Sequence, residues 1–514
     1  MDQGQYQILK QYVGLDLIEF VLNFQRKISD SDLLIDLALN PQQISVLNAL
    51  DSLIQSCRIK FITDGGFGND VRLMLKVSGI DVASYLHDLR KQSGGNVQGV
   101  NHNSDPIKQV ICDQALKYYP LLLLNPIDEQ NRFNLFSIDH TISQGLVELV
   151  QGDVLVKLTN GKSNLDAQFE VNTDIGIQEQ SQVISMPEVL LSRAFANCCA
   201  RMKYEMSDFL IEVESLIENL RFLAKFGRME FSSFLGFRGL YFDGFDEIDF
   251  GDAIVRQLKW KSNPGKLTAL TFSTHSDGNS NKSIGAIAEL KHKTERIALG
   301  NRPGSCVDGT VYRAQQCFVD RFLMAIVLHL KKDRGISRSG TDIGFPLGFS
   351  GLSWSERYPS EIIILSKADI DPVKEWMELL TDPVADAVSI AVRRLLKCVY
   401  ERDNPEDGLI DAFIAWEAMF TASSETTFRV TGSLVKYLYA VGERADQLKR
   451  LKKLYKLRSG LVHGSGSKLS SEEISKARVD AFEVALNALS KLLKEPSMLK
   501  MKPEERTEEL LIIR

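Results

Sequence analysis

Apolar residues recur at helical spacing through Tyr6 to Phe24 and Gln42 to Cys57, and Val71 to Leu89 reads as a third helix with Gly79 inside it. Gly94 to Asp105, rich in Gly, Asn and Ser, reads as a loop. The alternating runs V-L-V-K-L and A-Q-F-E-V, separated by T-N-G-K-S-N, predict a hairpin over Val147 to Val171. From Pro187 to Phe226 the period lengthens again, with Val213, Leu216, Leu220 and Leu223 on one helical face. Strand-like runs return at Leu267 to Thr274 and Ile284 to Leu290, and a helix follows over Tyr312 to Lys331. Arg334 to Gly351 is dense in Gly and Ser and reads as a linker or a long functional loop.

Beyond that point the strand signal stops. Glu361 to Leu380 reads as a connector helix, because D-I-D-P-V-K-E-W supplies an Asp cap and a Pro in the first turn. Helical segments then run through Leu409 to Phe420, Val435 to Val441, a basic stretch, and Glu472 to Leu493. The pattern predicts an α+β multidomain protein. A mixed α/β region spans 1–350, with a sub-boundary near 240; a linker and connector helix spans 351–380; an all-α bundle spans 381–495; and 496–514 forms a C-terminal tail. The length of 514 residues agrees, since one core rarely organises so long a chain.

Composition narrows the class. Hydrophobic residues at 44% and charged residues at 25% are ordinary for a folded protein, and a net charge of -6 argues against indiscriminate binding to nucleic acid. Any RNA contact must come from a local patch. The first residues, M-D-Q-G-Q-Y-Q, lack a secretory signal, and no apolar run approaches the roughly 20 residues of a membrane span, so a cytoplasmic protein is expected. Seven scattered cysteines without C-x-x-C pairs argue against a disulfide framework and against a structural zinc site. No cofactor and no metal are expected; His87, His102, His140, His275, His292 and His329 show no ligand spacing.

The chemistry concentrates in K-L-Y-K-L-R-S-G-L-V-H-G, Lys453 to Gly464. Arg458 can hold a phosphate through two parallel hydrogen bonds, and His463 can move a proton near neutrality, which together suit metal-free cleavage of RNA. Gly464 and Gly466 mark a helix end, where the macrodipole favours a protonated imidazole. Lys449, Arg450, Lys452, Lys453 and Lys456 offer a track for RNA backbone. Glu417, an acid on an apolar helix, needs a partner: Arg458, or else Arg393 or Arg394. Tyr455 lies three residues before Arg458 and either packs between helices or stacks on a base. Three other patterns are weaker: N-G-K-S at Asn160 to Ser163, which has Val156 where a phosphate loop needs Gly; G-G-F-G-N-D at Gly65 to Asp70; and Asp277 with Glu289 and Lys291.

The Leu-Arg-Ser-Gly-Leu-Val-His-Gly core, with Trp-Glu-Ala-Met-Phe upstream, resembles the ApeA-like branch of the HEPN superfamily over Thr381 to Glu495. The resemblance implies a helical bundle that pairs with a second copy into a composite cleft, and an endoribonuclease activity of the toxin and anti-phage (abortive infection) type. Arg458 and His463 would be catalytic, with Ser459, Glu417 and Tyr455 supporting. RNA, tRNA included, would be the substrate, a phage-derived component the trigger, and a homodimer or higher homo-oligomer the working form. Ser459 stands where many nuclease members carry Asn or another polar residue. The alternative is a non-catalytic HEPN module that binds RNA or a nucleotide, or serves assembly.

Overall fold

The computed structural model describes residues 1–24, 28, 32–63, 81–96, 99–102, 104–124, 140–160, 162, 166–173, 178–203, 205–258, 284–294, 297–298, 310–331, 336–347, 350–353, 361–402, 404–421, 425–462 and 470–513. In chain order its helices are α1 (Gln3–Val13), α2 (Leu15–Val21), α3 (Pro41–Thr63), α4 (Val82–Gln92), α5 (Pro106–Leu122), α6 (His140–Gln151), α7 (Met186–Arg201), α8 (Met206–Phe226), α9 (Thr310–Leu330), α10 (Ile370–Thr381), α11 (Ser389–Leu396), α12 (Pro405–Met419), α13 (Thr426–Leu438), α14 (Arg444–Val462), α15 (Ser471–Leu493), α16 (Pro496–Leu499) and α17 (Pro503–Glu508). Its strands are β1 (Gln168–Thr173), β2 (Gln178–Gln182), β3 (Met229–Arg238), β4 (Leu240–Asp243), β5 (Glu247–Asp249), β6 (Ala253–Gln257), β7 (Ile284–Thr294), β8 (Ile297–Ala298), β9 (Ser337–Ile343), β10 (Ser350–Ser353) and β11 (Ile363–Ser366). The class is α+β, as expected, and no described helix is long and apolar enough to cross a membrane.

Contacts divide the chain into two compact units. The first comprises Met1–Phe237, Gly251–Val311 and Arg338–Trp354; the second comprises Arg238–Phe250, Tyr312–Ser337 and Ser355–Arg514. The second unit thus takes in two segments from the middle of the chain besides its C-terminal part.

In the first unit, one apolar run yields two helices. Gly14 adopts φ 84°, where a side chain would be strained, and the chain turns there between α1 and α2. Likewise the expected long helix over Pro187 to Phe226 is broken at Met202, in the left-handed region at φ 54°, giving α7 and α8. The hairpin expected over Val147 to Val171 is reduced to one antiparallel bridge, Thr159↔Phe169, with the Asn160 amide donating to the Gln168 carbonyl at 2.9 Å. V-L-V-K-L makes a short 3-10 helix because the Asp153 carboxylate accepts from the Leu155 amide, and Leu155 and Leu158, three apart, are both buried. Only its second half is a strand, β1, antiparallel to β2 from Gln168↔Gln182 to Asn172↔Gln178 and flanked by β8.

Five strands of this unit lie side by side in the order β10-β9-β3-β7-β6, with β6 antiparallel to β7 through Ala253↔Leu290 to Gln257↔Ala286. Helix α7 lies on the sheet because its small residues Ala196 and Ala200 admit Phe234, Leu258, Ile284 and Ile287. The segment read as a linker or loop is instead the antiparallel pair β9/β10, registered from Ser350↔Ile343 to Ser353↔Gly340. Ser337, Ser339, Gly340, Ser350 and Gly351 sit in the two strands, while Phe345 and Leu347 of the connection are buried. The strand expected at Leu267 to Thr274, the segment G-G-F-G-N-D and most of Val71 to Leu89 lie outside the described residues.

In the second unit β4 and β11 form a parallel pair, Ile363↔Leu240 to Ser366↔Asp243. The connector segment is therefore strand β11 followed by helix α10. Asp369 does not cap α10; its carboxylate accepts from the Ser366 amide at 2.7 Å and meets His329 Nε2 at 2.6 Å. Helices α12 to α15 follow the expected order, but α13 covers Thr426–Leu438 where Val435 to Val441 was expected, and Val441–Glu443 is a 3-10 turn. Helices α12 and α15 are central: Trp416, fully buried, donates Nε1–H to the Ala481 carbonyl at 2.9 Å. Close approach also needs Gly408, where a Cβ would fall 2.8 Å from Arg478 Cδ.

The stretch after 495 is integral to this packing rather than a loose tail. Arg506 is fully buried and donates to the carbonyls of Met498, Met419 and Leu499, groups left over at helix ends.

Candidate functional site

The lead sequence motif lies on α14, whose two faces differ sharply. Leu451, Leu454 and Tyr455 are buried at helical spacing, and Arg458 continues that seam one turn on. Lys449, Lys452, Lys453, Lys456 and Ser459 are exposed on the other side. The seam packs on α12, which begins at Asn404, capping the Glu406 amide at 2.9 Å, and Pro405. Along α12, Phe413 and Glu417 are four residues apart and share a face. Tyr455 meets both: its ring lies edge-on to Phe413 with centroids 5.4 Å apart, and its hydroxyl donates to Glu417 Oε1.

Arg458 approaches the same carboxylate through Nη2, at 3.4 Å from Oε1 and 3.5 Å from Oε2, with its guanidinium carbon 5.6 Å from the Tyr455 ring centre. Of the partners open to Glu417, Arg458 is the one it meets, because Arg394 is drawn to Asp411 at 2.7 Å. The ion pair is long, one-pronged and partly wet, the side chains being 29% and 24% exposed. Moreover, Arg458 Nε is buried and has no hydrogen-bond partner among the described residues. A guanidinium has five N–H groups, and Glu417 leaves most of this fork unengaged. Burial, and then the Glu417 carboxylate, raise the Tyr455 pKa well above the ordinary phenol range. Tyr455 is therefore a fixed donor, not a base. It is also buried in its own bundle, so packing, not base stacking, is its role.

The basic stretch splits. Arg450 is engaged by Asp480 of α15, with Nε 3.2 Å from Oδ2, and by Gln447 at 2.8 Å. Lys449, Lys452, Lys453 and Lys456, at positions i, i+3, i+4 and i+7, form one outward stripe. Lys449 is 3.8 Å from Asp446, and Lys452 lies 4.9 Å from the Phe428 ring centre. His463 lies outside the described residues, which resume at Ser470. The arrangement can thus hold an anion at Arg458 and guide a polyanion along the lysines.

Sequence reasoning missed Asp411. It is buried and bridges Arg394 and Arg402, both at 2.7 Å, and it sits among apolar residues of α12 as Glu417 does, so the same signal was present. The weaker candidates resolve differently. Glu289 is clamped by Arg201 and Arg256 and buried, Lys291 is exposed, and Asp277 is outside the described residues. Asn160 Oδ1 accepts from the Lys162 amide at 3.2 Å, a local turn. Ser233 and His292 form a hydroxyl–imidazole pair at 2.6 Å, yet Ser233 is fully buried and no substrate can reach it. No family model, curated protein or solved structure matches the chain.

Proposed function

We propose that the C-terminal bundle is a HEPN-like, metal-independent endoribonuclease domain, acting in anti-phage defence under control of the N-terminal region. The observation that carries the reading is Arg458, seated on Glu417 and Tyr455 with an unpaired Nε among the described residues, beside a lysine stripe in an acidic chain. In the proposed reaction a ribose 2'-hydroxyl attacks the adjacent phosphorus, and the 5'-oxygen leaves. Arg458 neutralises the phosphorane, and His463 moves the proton. One imidazole cannot both take and give a proton in a single step, so a second copy supplies the other His463. Leu457 and Leu461, half-buried within one chain, are the apolar residues offered to that pairing. An unrestrained RNA-cutting bundle would be toxic, which is the reason for assigning control to the N-terminal region.

Purified protein incubated with total RNA in EDTA tests this. Cleavage should leave 2',3'-cyclic phosphate and 5'-hydroxyl ends and vanish in Arg458→Ala and in His463→Ala. RNA retained intact by a folded protein would replace the enzyme with the binding module, and strict dependence on added divalent ions would overturn the mechanism.

A further inference from the structure

We propose that His102, Cys112 and Glu214 of the first unit form a zinc site. The three residues come from three places: the loop before α5, the second turn of α5, and α8. Their ligand atoms all lie within 4.8 Å of one another. His102 Nε2 is 3.2 Å from Glu214 Oε1, yet the nitrogen is buried and makes no hydrogen bond among the described residues. Two polar atoms this close but misaligned are placed as two donors around a common third atom. Zinc bonds of about 2.0–2.2 Å to nitrogen and oxygen, at tetrahedral angles, set neighbouring donors roughly 3.3–3.6 Å apart, close to the distance seen.

The scaffold holds the ligands independently of any ion. The His102 amide donates to Gln109 Oε1 at 2.6 Å, and its carbonyl accepts from the Asp105 amide at 2.7 Å. Gln109 in turn donates to the Val100 carbonyl and to Asp113, folding the loop onto α5. Helix α8 is pinned beside them: Arg221 bonds Asp105 at 2.5 and 2.8 Å and Asp153 at 2.8 Å, and Lys108 meets Glu218 at 2.8 Å. Glu214, Glu218 and Arg221 share one face of α8, so these clamps fix Glu214 as well.

The donor set selects the metal. Sulfur, imidazole and carboxylate suit zinc, whereas magnesium and calcium take oxygen. A thiolate and a carboxylate cancel the dication's charge, which makes the partly buried site electrically neutral. Without an ion, burial and then Glu214 push the Cys112 thiol up to about 12, and coordination reverses that preference. Cys112 is fully buried, while His102 and Glu214 are 21% and 32% exposed, so a fourth position opens to solvent for water or substrate.

Full-length protein, stripped with chelator and titrated with cobalt(II), provides the test. One equivalent should bind with a sulfur-to-cobalt charge-transfer band, zinc should displace it and raise the melting temperature, and magnesium should do neither. Cys112→Ala should abolish the band while Cys317→Ala, at an exposed thiol, leaves it intact. His102→Ala and Glu214→Gln should weaken binding at least tenfold. Absence of the band up to millimolar cobalt, or wild-type affinity in Cys112→Ala, overturns the site. If Cys112→Ala does not fold, the partly exposed Glu214→Gln decides through its affinity. RNA cleavage is read separately and should survive the chelator, so failure of this site leaves the proposed nuclease standing, and the reverse.

Discussion

Two carboxylate–arginine clusters, one in each unit, use the same groups to opposite ends. At Glu289 every polar position is taken inside the protein. Oε1 accepts from Arg201 Nη2 at 2.8 Å, Arg201 Nε at 3.0 Å and Ser232 at 2.7 Å, and Oε2 accepts from Arg256 at 2.5 Å. Arg201 also meets Glu212 at 2.7 Å, so two guanidiniums face two carboxylates. Burial works to raise the Glu289 pKa, but Arg201 first, with Ser232 and Arg256, outweighs it and holds the group at about 2. At Glu417 one guanidinium among the described residues stands 3.4 Å off, about a quarter exposed, with one nitrogen unpaired. A saturated cluster ties elements together; an unsaturated one keeps donors for an outside anion.

Removing one charge from each cluster sharpens the contrast. Glu289→Gln leaves Arg201 and Arg256 short of a buried counter-charge and should cost about 3–5 kcal/mol in urea unfolding. Glu417→Gln, which keeps an acceptor for Tyr455, should cost under about 1 kcal/mol. Equal costs would erase the distinction. On the proposed reaction the order reverses. Arg458→Lys keeps the charge and loses the planar fork, and should slow RNA cleavage about a hundredfold with unfolding almost unchanged, whereas Glu289→Gln protein that remains folded should cleave normally.

Which parts were legible in the sequence follows from the same contrast. Glu417 stood out because an acid on an apolar helix face demands a partner, and Tyr455 lay one turn from Arg458, but the choice of Arg458 over Arg393 and Arg394, and the Tyr455–Glu417 contact, needed the fold. Asp411 carries that signal too. By contrast, Arg201, Glu212, Arg256 and Glu289 sit on α7, α8, β6 and β7, and His102 is over a hundred positions from Glu214; only the fold joins them. Local patterns also misled where a cap or a register decided the outcome. V-L-V-K-L alternates like a strand, but Asp153 starts a 3-10 turn; Arg334 to Gly351 looks like a linker, but Gly340 to Ile343 pair with Ser350 to Ser353 as β9 and β10. The order of helices from α12 to α15 was readable from their apolar spacing, whereas the bounds of α13, Thr426–Leu438, were not, its first residue following Glu425 without a side-chain cap.

Acid should find the first unit's weak point next. Burial lowers the His292 pKa to about 4, with Ser233 its hydroxyl partner and Phe231 stacked at 5.4 Å. Because the folded value lies below the unfolded one near 6.5, stability is full above pH 6.5 and falls as pH drops toward 4. The slope reaches at most about 1.4 kcal/mol per pH unit for one proton. Glu289, with 4.5 lowered to about 2, adds a second loss between those values. Unfolding measured from pH 8 to 3 should show the upper window disappear in His292→Gln and the lower one remain.

The smallest effects should separate the two kinds of cation on α14. Lys452 and Lys456 lie on the exposed stripe, whereas Arg450 is engaged by Asp480 and Gln447. An exposed lysine that neutralises a phosphate releases a counterion, so each of Lys452→Gln and Lys456→Gln should weaken single-stranded RNA binding a few-fold. Each should also reduce the slope of log affinity against log salt by about 0.7. Lys452 has a further contact, the Phe428 ring, but that ring is itself exposed and loses little. Arg450→Gln removes the same formal charge from the same helix, yet its guanidinium is spent on α15, so RNA affinity and salt slope should stay near wild type while unfolding shifts by about 1 kcal/mol or less. If all three variants lower the salt slope equally, the RNA senses only the net charge of α14, and the division between inward and outward cations loses its functional meaning.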